Sequence, residues 1–376
     1  MDFSLTEEQI LLRESVEKYI ADHGGVERHR RLCGSAAGFE PEAWQSFAEL
    51  GWLALPFSEA EGGLGGSPTD LMVLCEALGR GLVREPFLHT AVTCGGMLAA
   101  GGSAQQRERF LPGLIGGGSQ WAFAFAEHCS GYDFCAIDTL AQSGASGLTL
   151  SGQKIAVLNG HAADQLLVTA LGRPDDRSSL VLCIVDPALP GISSEVFTAV
   201  DGSRGAEFRF ADVQLPADSV LGEGVNAAAL IDDVVDTTII AMGAESVGAM
   251  QVLLDSTVEY SKTREQFGQP IGAFQALQHR MADMFLKLEE ARSLLFNAAI
   301  LLQQGSAEAG AACAALKVKV AEAGRFIAHE AVQLHGGIGM TDELIVGHLF
   351  KRLLLLEKLY GDGDYYLQRY GELRAA

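Results

Sequence analysis

The chain has 376 residues, of which 48% are hydrophobic and 20% charged, and its formal net charge is −21, with a pI near 4.8. This length predicts two or three domains with cores of their own. The acidity argues against a nucleic-acid-binding protein, which normally presents a basic surface. No apolar run approaches the roughly 20 residues that a membrane-spanning helix needs.

The start of the chain and its cysteines indicate a compartment. The first residues, MDFSLTEEQ, are acidic and unlike a signal or transit peptide. The seven cysteines are scattered, without a CxxC pair or a matching histidine spacing, which is typical of reduced thiols. We therefore expect a cytoplasmic protein with no metal site and with no membrane or nucleic-acid partner.

Residues 1–118 are predicted to form an N-terminal helical domain. Apolar side chains recur at helical spacing between Phe3 and Ile20. A glycine-rich loop ends at Ser67-Pro68, a pair that favours a helix start. The next segment, LPGLIGGGSQ, closes this helical part.

Residues 119–225 are predicted to form a middle β domain. The segments LTLSGQK, LLVTA, SLVLCIVD and EFRFADVQL are short, rich in Val, Leu and Phe, and bounded by turn residues. No helix-length segment separates them, and no GxGxxG follows a strand. The pattern therefore favours an antiparallel sheet or small barrel over a Rossmann unit.

Residues 226–376 are predicted to form a C-terminal four-helix bundle. Four long segments carry apolar residues at helical spacing, namely 226–260, 270–303, 306–335 and 342–359. The predicted fold class is thus α+β and multidomain, in the order helical domain, β domain, helical bundle.

Two motifs resemble the acyl-CoA dehydrogenase family. They are YSKTREQFGQPIGAFQALQHRMADMF, beginning at Tyr260, and QLHGGIGM, from Gln333 to Met340. The resemblance extends over the whole chain and includes the order of the three domains. It implies an FAD cofactor held across a subunit interface, an acyl-CoA substrate, and electron-transfer flavoprotein as a partner.

The resemblance also implies which residues contact FAD. Arg264 would pair with the pyrophosphate, since a guanidinium fork suits a diphosphate. Phe267 would pack on the cofactor, and Gly336 and Gly337 would let backbone N–H groups approach a phosphate. The full predicted set is Arg264, Gln266, Phe267, Ile271, Gln275, Gln333, Gly336 and Gly337.

The catalytic base of the family is missing from both of its usual positions. Family members remove the substrate α-proton with a Glu, placed in a Tyr-Glu-Gly-Thr turn or, in a minority, on the first bundle helix. Here those positions hold Tyr360 and Thr238. A phenol with a pKa of about 10 stays protonated at neutral pH. We therefore predict no catalytic residue in this chain.

The residues that would face the flavin ring also depart from the family pattern. The usual Thr-Glu-Pro-x-Ala-Gly-Ser-Asp loop is AEHCSGYD at residues 126–133, and the usual Trp-Ile-Thr-Asn strand is AVLN at residues 156–159. A stacking wall and a hydroxyl are thereby lost. This pattern resembles the small, non-catalytic subunit of heterotetrameric bacterial acyl-CoA dehydrogenases for pimeloyl-CoA or steroid side-chain CoA esters. In such α2β2 tetramers a homologous subunit carries the base.

Two alternatives stay open. A self-sufficient homotetramer could use Asp362, Asp364 or Glu245 as a displaced base, although turn chemistry or a bundle contact explains these acids more simply. A flavin-free scaffold subunit is the second alternative. Three histidines lie in loops near the cofactor motifs, where a hydrogen-bonding role is favoured over catalysis: His128, His161 and His335.

Overall fold

The computed structural model describes residues 4–144, 147–222 and 224–375. The predicted helical start at Phe3 lies just outside these residues. The first part of the chain forms helices α1 Glu7–His23, α2 Val26–Cys33, α3 Pro41–Glu49, α4 Pro68–Arg80, a π-helix Leu88–Gly95, α5 Gly96–Gly101 and α6 Ala104–Ile115. Ser67 caps α4 because its hydroxyl accepts the Asp70 N–H, while the Asp70 carboxylate accepts the Ser67 N–H. The helix start predicted at Ser67-Pro68 is confirmed.

A seven-stranded sheet follows. Its strands are β1 Trp121–Ala124, β2 Leu140–Gly144, β3 Gly147–Leu158, β4 Gln165–Leu171, β5 Leu180–Val185, β6 Ile192–Thr198 and β7 Arg204–Leu215. The spatial order is β1-β4-β2-β3-β7-β6, with β5 paired to β4. Most pairs are antiparallel, but β4 runs parallel to β1 and to the start of β2. The sequence signals found β3, β4, β5 and β7 and missed β1, β2 and β6.

The last part of the chain is helical again. Its elements are α7 Ala227–Thr263, a short hairpin of β8 Glu265–Gln266 and β9 Gln269–Pro270, α8 Gln275–Gln303, α9 Ala309–His335, α10 Ile345–Lys358 and α11 Gly363–Ala375. The predicted fold class is confirmed: a helical start, a central β sheet and a C-terminal helical bundle. The sequence reading did not anticipate α11. No described helix has the length and apolar character to cross a membrane.

The chain forms two compact units. The first unit comprises Met1–Gly34, Ser67–Arg84 and Ile239–Ala376, and the second comprises Ser35–Gly66 and Glu85–Thr238. The helices of the first 118 residues are therefore shared between the two. The domain boundaries after residues 118 and 225 stay predictions.

Within the first unit, α4 and α7 pack with their backbones in contact. A Cβ atom on Gly79 would lie 2.1 Å from the carbonyl oxygen of Glu245, and one on Gly248 would lie 2.1 Å from that of Glu76. Only glycine permits such an approach. These two glycines thus fix the distance between the helices.

Candidate cofactor cradle and the turn after α10

A tight hairpin projects the first predicted cofactor residues from the end of α7. The Ile271 N–H donates to the Arg264 carbonyl oxygen at 2.8 Å, which closes the hairpin. At its tip Phe267 adopts a φ of 55°, Gly268 a φ of 80°, and the Phe267 side chain is 91% exposed. Of the eight predicted FAD residues, only Ile271 is buried.

Arg264 and Gly337 line one cavity of the first unit. It has a volume of about 380 Å³ and is bounded by Tyr260, Thr263, Arg264, His335, Gly337 and Ile338. The His335 ring stacks on Tyr260 with centroids 4.5 Å apart, and its Nδ1 donates to the Ala331 carbonyl at 2.8 Å. Tyr260 and His335 thus form a rigid wall that the cofactor assignment had left out. The remaining predicted residues are not part of this lining.

The cradle suits the diphosphate half of FAD. Within the described parts of the chain, the side chains of Arg264, Gln266, Gln275 and Gln333 make no hydrogen bond or ion pair. Nothing lies within 4 Å of a Cβ placed on Gly336 or Gly337, and Gly336 has a φ of 66°. An unpaired guanidinium beside open backbone is a fitting environment for an anion. The individual contacts stay predictions.

The surroundings of the cradle are unusually apolar for an exposed surface. Phe267 is 91% exposed, Met340 74% and Ile338 40%. Ile338 lines the cavity together with Arg264. The two segments that carry the cradle motifs therefore combine an unpaired cation with exposed apolar side chains.

The turn after α10 is held in place by hydrogen bonds to its backbone carbonyls. Tyr360 is 2% exposed, has a φ of 60°, and its carbonyl accepts the Tyr366 hydroxyl at 3.1 Å. Lys317, buried on α9, donates to the carbonyls of Leu356 at 2.6 Å and Leu359 at 3.0 Å. These bonds satisfy the end of α10.

The two acids of this turn differ in environment. The Asp362 carboxylate accepts the Tyr365 N–H at 3.1 Å and the Lys358 ammonium at 3.1 Å, so it caps α11. Partial burial opposes ionisation, but these hydrogen bonds outweigh it and lower the pKa of Asp362. Asp364 is exposed in the first turn of α11.

The other two candidate positions are also occupied by bonded groups. Thr238 is buried in the second unit, where its hydroxyl donates to the Val234 carbonyl at 2.9 Å and lies 3.2 Å from the Thr93 hydroxyl. In the first unit, Glu245 forms a two-pronged ion pair with Arg352, at 2.6 and 3.1 Å.

The second unit carries the strand and loop predicted to face a flavin ring. Ala156 is exposed on a bulge of β3 with a φ of 53°, and Leu158 is buried. Neither offers the aromatic wall or hydroxyl of the family pattern. The loop is anchored by Lys154, which is buried and lies 2.6 Å from Glu127.

The remaining loop groups have ordinary partners. His161 Nε2 lies 2.8 Å from the Ala37 carbonyl, and burial lowers the pKa of His161. Cys129, Glu127 and Asp138 lie close enough together to hold a cation, but the Lys154 ammonium already balances Glu127. His128 is exposed beside them.

Two buried lysines were missed by sequence reasoning. Burial lowers the pKa of Lys317 to about 7 and that of Lys154 to about 8. The signal for Lys317 is its position: Cys313, Val320 and Ala321, three or four residues away, are all buried on the same face of α9. A lone lysine on such a face indicates a buried cation with backbone partners.

Models of the acyl-CoA dehydrogenase family match the chain in two places. The model of the N-terminal domain matches residues 6–118 and that of the C-terminal domain residues 233–370. Acyl-CoA dehydrogenase IpdE2 of Mycolicibacterium smegmatis is 31% identical, over 93% of each chain. The probable acyl-CoA dehydrogenase YngJ of Bacillus subtilis is 29% identical, over 98% of each chain.

Several solved structures are similar to this chain over nearly its whole length. The Tcur3481-Tcur3483 steroid ACAD is 30% identical with a TM-score of 0.88, over 98% of each chain. The FAD complex of PigA is 27% identical with a TM-score of 0.92, over 100% of each chain. The ChsE4-ChsE5 complex from Mycobacterium tuberculosis is 26% identical with a TM-score of 0.90, over 100% of this chain and 99% of that one.

The chain therefore belongs to the acyl-CoA dehydrogenase family of oxidoreductases, whose cofactor is FAD. The predictions of the family and of its cofactor are confirmed.

Proposed function

We propose that this chain is the non-catalytic subunit of a heteromeric acyl-CoA dehydrogenase. It completes the FAD site of a homologous partner in an α2β2 tetramer, and the partner supplies the base that desaturates an acyl-CoA thioester. The observation that carries the proposal is the filling of both usual base positions by Tyr360 and Thr238, which are buried and cannot accept a proton from carbon at neutral pH.

The cradle supports a shared cofactor. Arg264 and Gly337 would hold the pyrophosphate, and Phe267 would pack beside it, as part of a site whose other half belongs to the partner. Bound FAD supplies a hydride acceptor. The part of this chain is to neutralise phosphate charge with Arg264 and to exclude water with Ile338, which lines the cavity.

Similar proteins support the heteromeric assembly. The ChsE4-ChsE5 structure is described as a complex of two named chains, and Tcur3481-Tcur3483 as a steroid ACAD. On this basis we propose a steroid side-chain or other large CoA ester as the substrate class, with electron-transfer flavoprotein as the electron acceptor.

The geometry disfavours two of the three displaced bases. Glu245 is held by Arg352 in a bidentate ion pair, which it would have to leave in order to reach a substrate. Asp362 has a lowered pKa and caps α11. Asp364 is exposed in the first turn of α11, so it is the acid that the rival homotetramer would use.

The test compares the chain alone with the chain co-expressed with a homologue bearing Glu at either usual base position. Flavin content and dye reduction are measured over short-chain, long-chain, dicarboxylic and steroid CoA esters. We expect the lone chain to be colourless and inactive, and the complex to be active with fewer flavins than subunits. A yellow, active lone chain would establish the homotetramer instead, and a complex without flavin contacts to this chain would leave only a scaffold role.

A further inference from the structure

The loop between β1 and β2 is closed at its neck by one buried carboxylate. Glu127, at the start of the loop, accepts the Asp138 N–H at 2.7 Å and the Thr139 N–H at 3.2 Å, both at its far end. The Lys154 ammonium lies 2.6 Å from the same carboxylate. One side chain thus joins both ends of the loop to β3.

Lys154 extends this connection to a third strand. Its ammonium also donates to the Phe125 carbonyl at 3.2 Å and to the Thr169 hydroxyl on β4 at 2.8 Å. Each of the three N–H groups of the Lys154 ammonium therefore has an acceptor. Because the lysine side chain is 0% exposed, loss of any acceptor leaves a buried charge partly unpaired, which is costly.

The tip of the loop is held by weaker, exposed contacts. Asp133 pairs with Arg177 at 3.0 Å, and both side chains are about half exposed, which makes such a pair worth little. The exposed Cys129 thiol lies 3.5 Å from the Asp138 carboxylate. Desolvation is the largest cause that raises the pKa of Cys129, and the negative charges of Asp138 and Glu127 raise it further.

We infer that Lys154 is a positioning residue that acts through Glu127 to hold residues 127–139 in one conformation and to keep the Cys129 thiol against Asp138, where it is poorly reactive. The inference goes beyond the proposed function. Loop order is measured on the chain alone, without flavin, so its outcome is independent of whether a partner exists.

The ion pair between Lys154 and Glu127 makes the closure of the loop depend on pH. Burial lowers the pKa of Lys154 to about 8, while Glu127, Cys129 and Cys183, the titratable groups that face it, raise that pKa. In an open loop Lys154 would stay buried but would lose its contact with the Glu127 carboxylate. The pKa of Lys154 is therefore higher when the loop is closed. The pair therefore stabilises the closed loop below pH 8, and this stabilisation is lost as pH rises through about 8.

The main test is hydrogen exchange in Lys154→Met, with Lys262→Met as an exposed lysine control. We expect the amides of Asp138 and Thr139 to exchange at least tenfold faster at pH 7, with β4 and β5 unchanged. In a Cys33→Ser, Cys135→Ser background, the rate at which Cys129 reacts with Ellman's reagent should rise by a similar factor. The unmodified chain should show the same loosening between pH 7 and 9, after correction for intrinsic exchange.

Thr169→Val provides a milder variant that keeps both charges and removes one acceptor of Lys154. We expect about a threefold rise in loop exchange, and this result supports the inference even if Lys154→Met does not fold. Loop exchange within twofold of the unmodified chain in every variant that folds would overturn it. So would a rise shared equally by β4 and β5, because that marks global destabilisation.

Discussion

The cradle at Arg264 and the turn at Tyr360 belong to the same compact unit and differ in how their polar groups are satisfied. In the cradle, the Arg264 side chain has no bonded partner among the described residues and lines a cavity with Gly337. In the turn, Lys317 and Tyr366 bond the carbonyls, and Asp362 caps the next helix. The polar groups of the turn are thus satisfied within this chain, whereas the cradle keeps a guanidinium available for a ligand, as the proposed shared cofactor site requires.

We expect the largest effect from a substitution that removes the arginine of the cradle. In the assembled complex, Arg264→Ala leaves a phosphate charge unpaired, at a cost of roughly 2–5 kcal/mol if the pair is desolvated. FAD affinity should fall more than tenfold, as measured by equilibrium dialysis or flavin fluorescence. Arg13→Ala, at an exposed ion pair of α1, is the control and should leave affinity unchanged. Full flavin occupancy in the Arg264 variant would remove the cradle from the cofactor site.

A second substitution in the cradle, at Gly337, separates an effect on folding from an effect on FAD binding. No atom lies within 4 Å of a Cβ on Gly337, so Gly337→Ala should leave the free energy of unfolding of the lone chain within about 0.5 kcal/mol. In the complex the methyl group would stand where a phosphate approaches the backbone. We expect flavin to bind about tenfold more weakly, which corresponds to about 1.4 kcal/mol. Equal losses of stability and affinity would contradict this.

The turn is tested through the buried cation that holds it. Burial lowers the pKa of Lys317 to about 7 in the folded chain, against 10.5 for an unburied lysine. Between these values the unfolded chain binds a proton that the folded chain has released, so the free energy of unfolding rises with pH. Lys317 contributes a slope of up to about 1.4 kcal/mol per pH unit.

The measurement is urea unfolding at several pH values from 6.5 to 9. Lys317→Met should be less stable, because two carbonyls lose their donor, and should show a shallower pH slope than the unmodified chain. Lys262→Met, at an exposed lysine, should keep the original slope. Identical slopes for Lys317→Met and the unmodified chain would mean that the lysine does not titrate in this window.

The smallest effect distinguishes a cap from a catalytic base. Asp362→Ala should lower the free energy of unfolding by about 1 kcal/mol, because the first turn of α11 loses its cap, whereas Asp362→Asn keeps a good cap and should cost less. Neither change should reduce turnover of the complex. Loss of turnover in the Asn variant with flavin retained would move the base to Asp362, and Asp364→Asn applies the same test to the exposed acid.

Much of this arrangement was predictable from the sequence because it rests on short-range signals. Ser67-Pro68 marks a helix start through a capping box that runs only from Ser67 to Asp70, and the TREQFG and LHGGIG segments mark the cradle by local residue patterns. The strands β1, β2 and β6 were missed. β1 has four residues, all buried, and so has no alternation, whereas β6 is an exposed strand with serines where apolar residues were sought.

The distant partners of Lys317 and Glu245 were missed for a different reason. Lys317 bonds to residues about forty positions away, at 356 and 359, and Glu245 pairs with Arg352 across more than a hundred. No periodicity in one sequence reports such distant pairs. Their effect was visible only indirectly, as a lysine on an apolar helix face and as an acid on the face that also carries Gly248.

The contact of α4 with α7 at Gly79 and Gly248 also bears on the order of synthesis. On a ribosome, the glycine face of α4 emerges long before the stretch of α7 that fits against it, and the whole second unit is made in between apart from residues 35–66. The first unit therefore completes late in translation. Until then α4 can pack on α1, but the backbone of α4 at Gly79 stays uncovered, because the residues of α7 that pack against it have not yet been made.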